Sequence, residues 1–480
     1  MMAPPTLADL NFWREKMALN HSLERKKFAF FHHSFMEESG NNETPICNLI
    51  QDHLFSILLL LPINSILSFA LTCKKFNSLA SSDTLWESIC RREWGPTCVD
   101  ALKSSYFNGG NYMPWMKLYH QVTQLGSVSC LKLIDPLSHN MLPCPRASHS
   151  LNFVSNCLVL FGGGCEGGRH LDDTWVALLG YDFKTILKWQ KVTSGLPSGR
   201  FVHTCVVTGD FLILFGGIND HGIRQNDTWI GRIVHSETFG ITLFWRLLDV
   251  GSVAPPPRGA HAGCSMENRR MLIHGGIGPD GVRLGDLWIL EISENFCHGT
   301  WYEIVTHPAP PPRSGHTLTC IDGTRTLLFG GRGLGYDVLD DVWVFDATEG
   351  HSQWVRVQVD LSSTPWGNNL PRVGHSATLI LGGKVLIYGG ENSQRQRKND
   401  FWLFDVNSIK KHPFSTRMWR RLKSCGYKPK GRSFHAACSD HSGRLVYTFG
   451  GMADESLQPA ESSGLQFDAD VFAVELLLDP

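Results

Sequence analysis

Six histidines stand three residues behind six arginines, and imidazoles in that number resemble a metal-ligand set. The pairs are Arg146/His149, Arg200/His203, Arg258/His261, Arg313/His316, Arg372/His375 and Arg432/His435. Fourteen cysteines add a second set of groups that could bond or ligate. Gly276, Gly278 and Gly281 match a dinucleotide-binding spacing. Each of these chemistries needs its residues on particular elements, and the chain's periodicity decides which elements those are.

The six arginines are 54, 58, 55, 59 and 60 residues apart. Each Arg-x-x-His is followed by an apolar run ending in a glycine doublet, at Gly163, Gly217, Gly276, Gly331, Gly390 and Gly451. An Asp-x-aromatic comes next: Asp173/Trp175, Asp227/Trp229, Asp286/Trp288, Asp341/Trp343, Asp400/Trp402 and Asp470/Phe472. A lone tryptophan closes five of the units, at Trp189, Trp245, Trp301, Trp354 and Trp419. Six units at a period in the fifties are a repeat architecture. In each unit, apolar runs of strand length alternate with glycine, proline and polar clusters. In the first they are His149–Val154, Cys157–Phe161, Thr174–Leu178 and Trp189–Val192. Four-stranded units stacked radially make a β-propeller.

This frame reassigns the chemical residues. Equivalent places on six blades spread the histidines around a ring, so they are expected to hydrogen-bond beside the arginines at the strand entry rather than share a metal. The repeat aspartates are expected to form turns. The glycines at 276–281 belong to the repeat and precede a strand, not a helix, which removes the dinucleotide reading. No phosphate-loop Lys-Ser/Thr follows any glycine run, and no nucleophile is placed with a base and an orienting partner. No catalytic residue, cofactor or metal is expected. Cys205, Cys264, Cys320 and Cys438 follow the repeat histidines and are expected in strands as small apolar residues. With no Cys-x-x-Cys and no secretory signal, the expected compartment is reducing: cytoplasm, nucleus or both. A net charge of −1 supplies no basic field for nucleic acid or an anionic membrane. The richest apolar run, residues 57–71, contains Pro62 and is too short to span a bilayer.

Residues 1–45 carry little pattern and are expected to be a disordered tail; Met36 is an alternative start. Residues 46–95 are helical by spacing. Leu54, Phe55, Leu58 and Leu61 share one face, Pro62 stops that helix, and Thr84 to Glu87 fits a capping box. The block is too small for a robust core, and its leucine content exceeds what such a core can bury. It is either an adaptor segment completed by another protein or an internal helical subdomain packed on the repeats. Residues 96–126 join the two parts. A loop is expected at 107–111, and then a helix carrying Trp115, Leu118, Tyr119, Val122 and Leu125 on one face, which docks the helical block onto the repeats.

The order Leu61-Pro62, Ala70-Leu71-Thr72-Cys73-Lys74-Lys75-Phe76, Leu85-Trp86 and Trp94-Gly95 resembles the F-box. The opening Leu-Pro of that family is replaced by Ile50-Gln51. The resemblance implies docking on the Skp-type adaptor of a cullin-based ubiquitin ligase through Ile50, Leu54, Leu58, Leu61, Pro62, Leu71 and Cys73. Residues 127–480 resemble kelch repeats. The expected architecture is thus multidomain: a small all-α F-box domain followed by an all-β six-bladed kelch propeller, with repeats at 145–192, 199–248, 257–305, 312–358, 371–423 and 431–480. The sixth repeat ends without a fourth strand. Residues 128–134 are expected to supply it and close the ring.

The pairing of modules is of plant type. The kelch part and the Leu476 to Pro480 ending are similar to the Zeitlupe group, which carries a flavin-binding light-sensing domain ahead of its F-box. The 45 residues preceding the F-box here are too few for such a domain, so a photoreceptor role is not expected. The resemblance implies a non-catalytic substrate receptor whose propeller binds an unknown target protein; the alternative is an adaptor-bound scaffold that does not direct degradation.

Loops between the second and third strands emerge on one face, bearing Arg169, Arg224, Arg283, Arg332, Arg395 and Arg397. They are either solvated charge balanced by Glu166, Asp220, Asp280 and Asp337, or a target surface favouring an acidic or phosphorylated segment. The acidic sixth-blade loop, Met452 to Ala469, is expected to be the target-specific element.

Overall fold

The computed structural model describes residues 46–109, 113–133, 142–192, 197–236, 240–267, 269–348, 351–358, 370–409, 418–454 and 465–478. The N-terminal tail at 1–45 and most of the acidic sixth-blade loop lie outside these. The chain divides into two compact units. One holds the described residues up to Arg92 together with Met113–Tyr119, and the other holds most of the remainder.

The first unit is made of short helices: α1 (Gln51–Leu60), α2 (Ile63–Ala70), α3 (Lys74–Ala80) and most of α4 (Asp83–Trp94). Pro62 ends α1, and the freed carbonyls of Leu59 and Leu61 accept hydrogen bonds from Arg92 at 2.5 and 3.1 Å. Leu54, Leu58, Ile66, Leu67, Phe76, Leu79, Leu85, Trp86 and Ile89 form its buried interior. The cap of α4 differs from expectation. The helix begins at Asp83, and Ser82 Oγ accepts from the Leu85 N–H at 3.4 Å. Thr84 is already inside the first turn, so the cap sits two residues earlier than the Thr84–Glu87 pattern suggests. Gly95, at φ +89°, takes the left-handed conformation that ends α4.

Helix α5 (Pro96–Gly109) starts on a proline and runs through Phe107, where a loop was expected. Helix α6 (Trp115–Gln124) follows Pro114. Its Trp115 N–H donates to Asp83 Oδ1 at 2.7 Å, and Trp115, Leu118, Tyr119, Val122 and the following Leu125 are all buried.

The second unit is a six-bladed propeller. The first blade has strands Ser150–Val154, Cys157–Phe161, Thr174–Leu179 and Ile186–Val192, hydrogen-bonded in that order, and the next four repeat this meander. The sixth has Ala436–Ser439, Leu445–Phe449 and Val471–Leu476, and its fourth strand comes from the other end of the unit. The strand Ser127–Lys132 pairs antiparallel with Val471–Leu476, placing Val128 opposite Leu476 and Lys132 opposite Phe472. It also pairs in parallel with the outer strand of the fifth blade, Trp419–Gly426, which merges blades five and six into one eight-stranded sheet. The first strand of each blade neighbours that of the next, and the sixth neighbours the first.

The core is a set of slabs between blades. One slab joins Phe153, Leu160, Trp175 and Trp189 of the first blade to Tyr447, Phe449 and Ala473 of the sixth. Another joins Phe329 and Val344 to Ile387, Trp402 and Trp419. Each blade is therefore apolar on both faces, which accounts for strands reading as continuous apolar runs.

The blades are also stitched at the axis. Ser148, Val202, Ala260, Gly315, Gly374 and Phe434, the residues just before the repeat histidines, all have φ between +51° and +66°. Their amides link head to tail. Val202 N–H donates to Ser148 O, Ala260 to Val202, Gly315 to Ala260, Gly374 to Gly315, Phe434 to Gly374 and Ser148 to Phe434, at 2.7–3.0 Å. The result is a closed circle of six hydrogen bonds. It costs left-handed strain at Val202 and Phe434 and leaves none of these amides unpaired. Gly374 makes room for Phe434, whose ring carbons would lie 2.9–3.0 Å from a Cβ there.

Candidate functional site

The repeat arginines and aspartates have a structural task that the sequence did not disclose. All six arginines are fully buried. Arg146 binds Asp173 through two hydrogen bonds of 2.6 and 3.0 Å and also donates to the Gly162 carbonyl. Arg200/Asp227, Arg258/Asp286 and Arg313/Asp341 repeat the forked pair, and Arg372 reaches Asp400 at 3.3 Å. Each of these aspartates also accepts from its own Trp indole N–H at 2.6–2.8 Å. The aspartates are therefore ion-pair partners inside each blade rather than turn formers. Burial pushes the Asp173, Asp286 and Asp341 carboxyls up, but hydrogen bonds from the paired arginine and its charge pull them below the ordinary range. In the sixth blade the partner shifts: Arg432 donates to Asp468 at 3.1 Å, and Asp470, 3.8 Å from Arg432, pairs more closely with Lys132 at 2.9 Å.

The six histidines are brought together more than symmetry led us to expect. All line one axial cavity of about 130 Å³ with the residues of the amide circle. Five of the rings pack edgewise on the aromatic residue just before the glycine doublet of the preceding blade: His149 on Phe449, His203 on Phe161, His261 on Phe215, His375 on Phe329 and His435 on Tyr388. The hydroxyl oxygens of Ser150, Thr317 and Ser376 lie 2.9–3.1 Å from Nε2 of His203, His375 and His435. In the third blade His274 replaces the aromatic, and its Nδ1 lies 3.1 Å from His316 Nε2. Among the described residues no group of three or more His, Cys, Asp or Glu side chains is arranged to hold a metal ion. Of the four cysteines expected in these strands, Cys264 is buried and Cys205, Cys320 and Cys438 are half-buried.

In the helical unit, two of the seven expected contact residues are not available. Leu54 and Leu58 are 1% exposed, because the face they share with the α1 spacing pattern is the one turned to the unit's own interior. Ile50, Pro62, Leu71 and Cys73 are exposed and Leu61 is half-buried. Ile46, Ile57 and Leu60 are exposed as well, the last at 85%. Ile57 and Leu60 stand on the polar-expected side of α1, so helical periodicity taken as a core signal passed over them, and Ile46 precedes that helix.

On the propeller rim, the arginines divide into two kinds. Arg332 pairs with Glu391 of the next blade at 3.0 Å, and Arg397 pairs with Glu391 of its own blade at 3.5 Å and with Asp454 of the next at 2.5 Å, so both are neutralised. Those carboxylates differ from the balancing set expected. Asp220 is taken by the His170 amide at 2.7 Å and lies 3.5 Å from its ring. Arg283 donates to Ser314 Oγ at 3.1 Å and lies over the Tyr336 ring at 4.4 Å. Arg169 and Arg395 are exposed, and Arg224 is half-exposed with no carboxylate partner among the described residues. No helix among the described residues is long and apolar enough to cross a membrane.

Comparison with known proteins agrees with this division. Residues 51–92 match an F-box-like family model. Residues 95–295 and 203–369 match a kelch-repeats domain model described for KLHDC2, KLHL20 and DRC7, and residues 292–471 match an Attractin/LZTR1 beta-propeller model. An F-box/kelch-repeat protein of Arabidopsis thaliana is 55% identical over 456 residues, covering 92% of this chain and 94% of that protein. Adagio-like protein 3 of Oryza sativa subsp. japonica is 28% identical, covering 83% of this chain and 60% of the relative. Adagio protein 3 of Arabidopsis thaliana is 27% identical, covering 83% and 61%. The chain thus spans about three fifths of the adagio proteins' length. With helical unit and propeller each matched and one relative similar along nearly its whole length, the chain belongs to the F-box/kelch-repeat proteins.

Proposed function

We propose that this chain is the substrate-recognition subunit of a Skp–cullin–F-box ubiquitin ligase. The F-box binds a Skp-type adaptor and through it the cullin, and the propeller binds the protein to be ubiquitinated. The observation that carries the reading is the apolar surface left uncovered around α1 and α2: Ile46, Ile50, Ile57, Leu60 and Leu71 all stand open beside Pro62 and Cys73. Each such side chain covered by a partner contributes roughly 1.5–3 kcal/mol, so a few suffice for firm association. The chain itself performs no chemistry in this scheme. It raises the concentration of a target lysine near the charged ubiquitin held by the other subunits. A cytoplasmic or nuclear site of action goes with this reading.

Affinity capture from cells with the full chain and with residues 46–95 removed tests it. The adaptor and cullin are expected to vanish with the deletion, while propeller-bound proteins persist. Retention of cullin by the deleted chain would refute the assignment. Accumulation of a bound partner on proteasome inhibition separates a degradation receptor from a scaffold that merely occupies the adaptor.

A further inference from the structure

The rim residues obey a rule that the sequence does not show. In each of the first five blades, one loop residue pairs back to the residue after the glycine doublet: His170 to Gly164, Arg224 to Ile218, Arg283 to Ile277, Val338 to Arg332 and Arg397 to Glu391. Three of these side chains meet the second residue of the next blade's Arg-x-x-His. His170 lies on Phe201 at 4.3 Å, Arg283 donates to Ser314 Oγ at 3.1 Å and Arg397 donates to Ser433 Oγ at 3.2 Å. For Arg224 the equivalent residue is Gly259, which has no side chain to accept. A Cβ at Gly259 would lie 2.7 Å from Ile218 and 2.9 Å from Val202, so the acceptor is missing because apolar packing fills its place. Nε of Arg224 is buried and has no hydrogen-bond partner.

The surroundings of Arg224 differ from the rest of the rim. In blades two and three the residues after the glycine doublets are Ile218 and Ile277, where blades four and five have the paired Arg332 and Glu391. The loop residues Ile223 and Val282 occupy equivalent turns, accepting from Asn219 and Gly278 at 3.0 and 2.9 Å, and both are exposed. Leu334 and Tyr336 of blade four are exposed as well, and Arg283 lies against the Tyr336 ring. Blades four to six thus carry an ion-pair chain along the rim, whereas blades two to four present exposed apolar side chains beside a guanidinium with no carboxylate partner among the described residues.

We propose that blades two to four form the target-binding surface, and that they receive an internal protein segment bearing an aspartate or glutamate flanked by apolar side chains. The carboxylate accepts forked hydrogen bonds from the outer Nη groups of Arg224, the one rim guanidinium of these blades without a side-chain partner among the described residues, and the flanking side chains lie over Ile223, Val282 and Tyr336. A singly charged carboxylate fits better than a phosphate dianion. Arg283 is already engaged by Ser314 and Tyr336, and the exposed Asp280 and Asp337 on the adjoining turns oppose a second negative charge. The proposal rests on the reading of the propeller as a target receptor.

The test uses the full chain purified with its Skp-type adaptor and probed with a displayed library of random dodecapeptides. Recovered peptides are expected to share Asp or Glu next to apolar residues. Changing that acid to its amide, or making Arg224→Gln, should each weaken binding about tenfold, and the two together should cost little more than either alone. Val282→Ser and Tyr336→Ser should weaken binding severalfold, while Arg169→Gln and Arg395→Gln should stay within about twofold. Unchanged thermal unfolding of Arg224→Gln guards against loss of structure, and the acid-to-amide change in the peptide probes the same contact with the protein intact. Recovery of no peptide, recovery of peptides without an acid, indifference to Arg224→Gln, or tighter binding of a phosphoserine version would each overturn the proposal. Adaptor co-purification is scored separately, so its failure would strike the ligase reading and leave this assignment standing.

Discussion

Arg146 and Asp173 meet through two parallel hydrogen bonds, with the guanidinium sealed from solvent and the Trp175 indole N–H closing the carboxylate from the other side at 2.7 Å. The pair ties the entry of a blade's first strand to the start of its third. Removing one partner strands the other charge in the interior. Asp173→Ala should therefore lower stability by about 3–5 kcal/mol in denaturant unfolding, whereas the double change Arg146→Met with Asp173→Leu should recover much of that loss. A small effect from Asp173→Ala alone would show that water reaches the site.

Acid should unfold the propeller before its carboxylates titrate. Burial, with the neighbouring arginines next, holds His203, His274 and His435 to about 3. Burial likewise holds His149, His261, His316 and His375 well below the ordinary value. The unfolded chain takes up these protons near pH 6.5 and the folded chain refuses them. Their contribution is complete above about pH 6.5 and is lost as pH falls toward 3. The three imidazoles near 3 alone remove about 4 kcal/mol for each pH unit below about 6. The paired carboxylates Asp173, Asp286 and Asp341, held low, protect the fold above about 3.8 and lose that effect only below it. Near-ultraviolet circular dichroism is expected to collapse cooperatively between about pH 5 and 6. A midpoint below 4 would contradict the sealed-histidine picture.

Ring closure makes a separate prediction. The strand Ser127–Lys132 provides the sixth blade's outer edge and bonds to the fifth as well. Deleting residues 127–135 should leave two open sheet edges and yield an aggregated or unfolded chain in size-exclusion chromatography. A milder probe is Gly426→Val. Gly426 has φ +77° and a Cβ there would come within 2.5 Å of the Cys130 carbonyl, so the substitution should cost at least about 1–3 kcal/mol at the blade five–six seam. A stable monomer from the deletion would refute this account of closure.

The helical unit should separate packing from binding. Leu58→Ala empties a buried position and should destabilise the unit by about 2–5 kcal/mol. Leu60→Glu with Ile57→Glu changes only exposed positions. It should leave the melting temperature within a few degrees and abolish capture of the Skp-type adaptor. The opposite pattern, with Leu58→Ala retaining stability and Leu60→Glu retaining capture, would move the contact surface elsewhere.

Much of this protein could be read in its residues. The spacing of Arg-x-x-His, Gly-Gly and Asp-x-Trp declares six equivalent units, because each blade needs the same turn, the same buried pair and the same interblade aromatic. The missing fourth strand of the last unit, set against the spare strand expected at 128–134 before the first, points to a ring sewn shut by its two ends, and the structure has that strand at Ser127–Lys132. The Leu61-Pro62 break marks the helical unit in the same way, since local sterics act over a few residues.

What sequence could not decide is where side chains from different repeats meet. Asp173 looks like a turn residue until the fold brings Arg146, 27 positions earlier, against it. Asp468 takes the role that position 470 holds in register, and only the geometry of the last blade shows the exchange. Six histidines converge on one cavity because the axis gathers equivalent atoms that the chain keeps more than fifty residues apart. Leu58 and Leu60 are the same residue type two positions apart, yet one is core and the other open, because helical rotation and the neighbouring helices decide burial. Arg224 differs from Arg283 through what stands across the blade boundary, a glycine in one case, a serine and the Tyr336 ring in the other. Local pattern is carried by covalent neighbours and is legible from them; partnership between distant charges exists only once packing has chosen who faces whom.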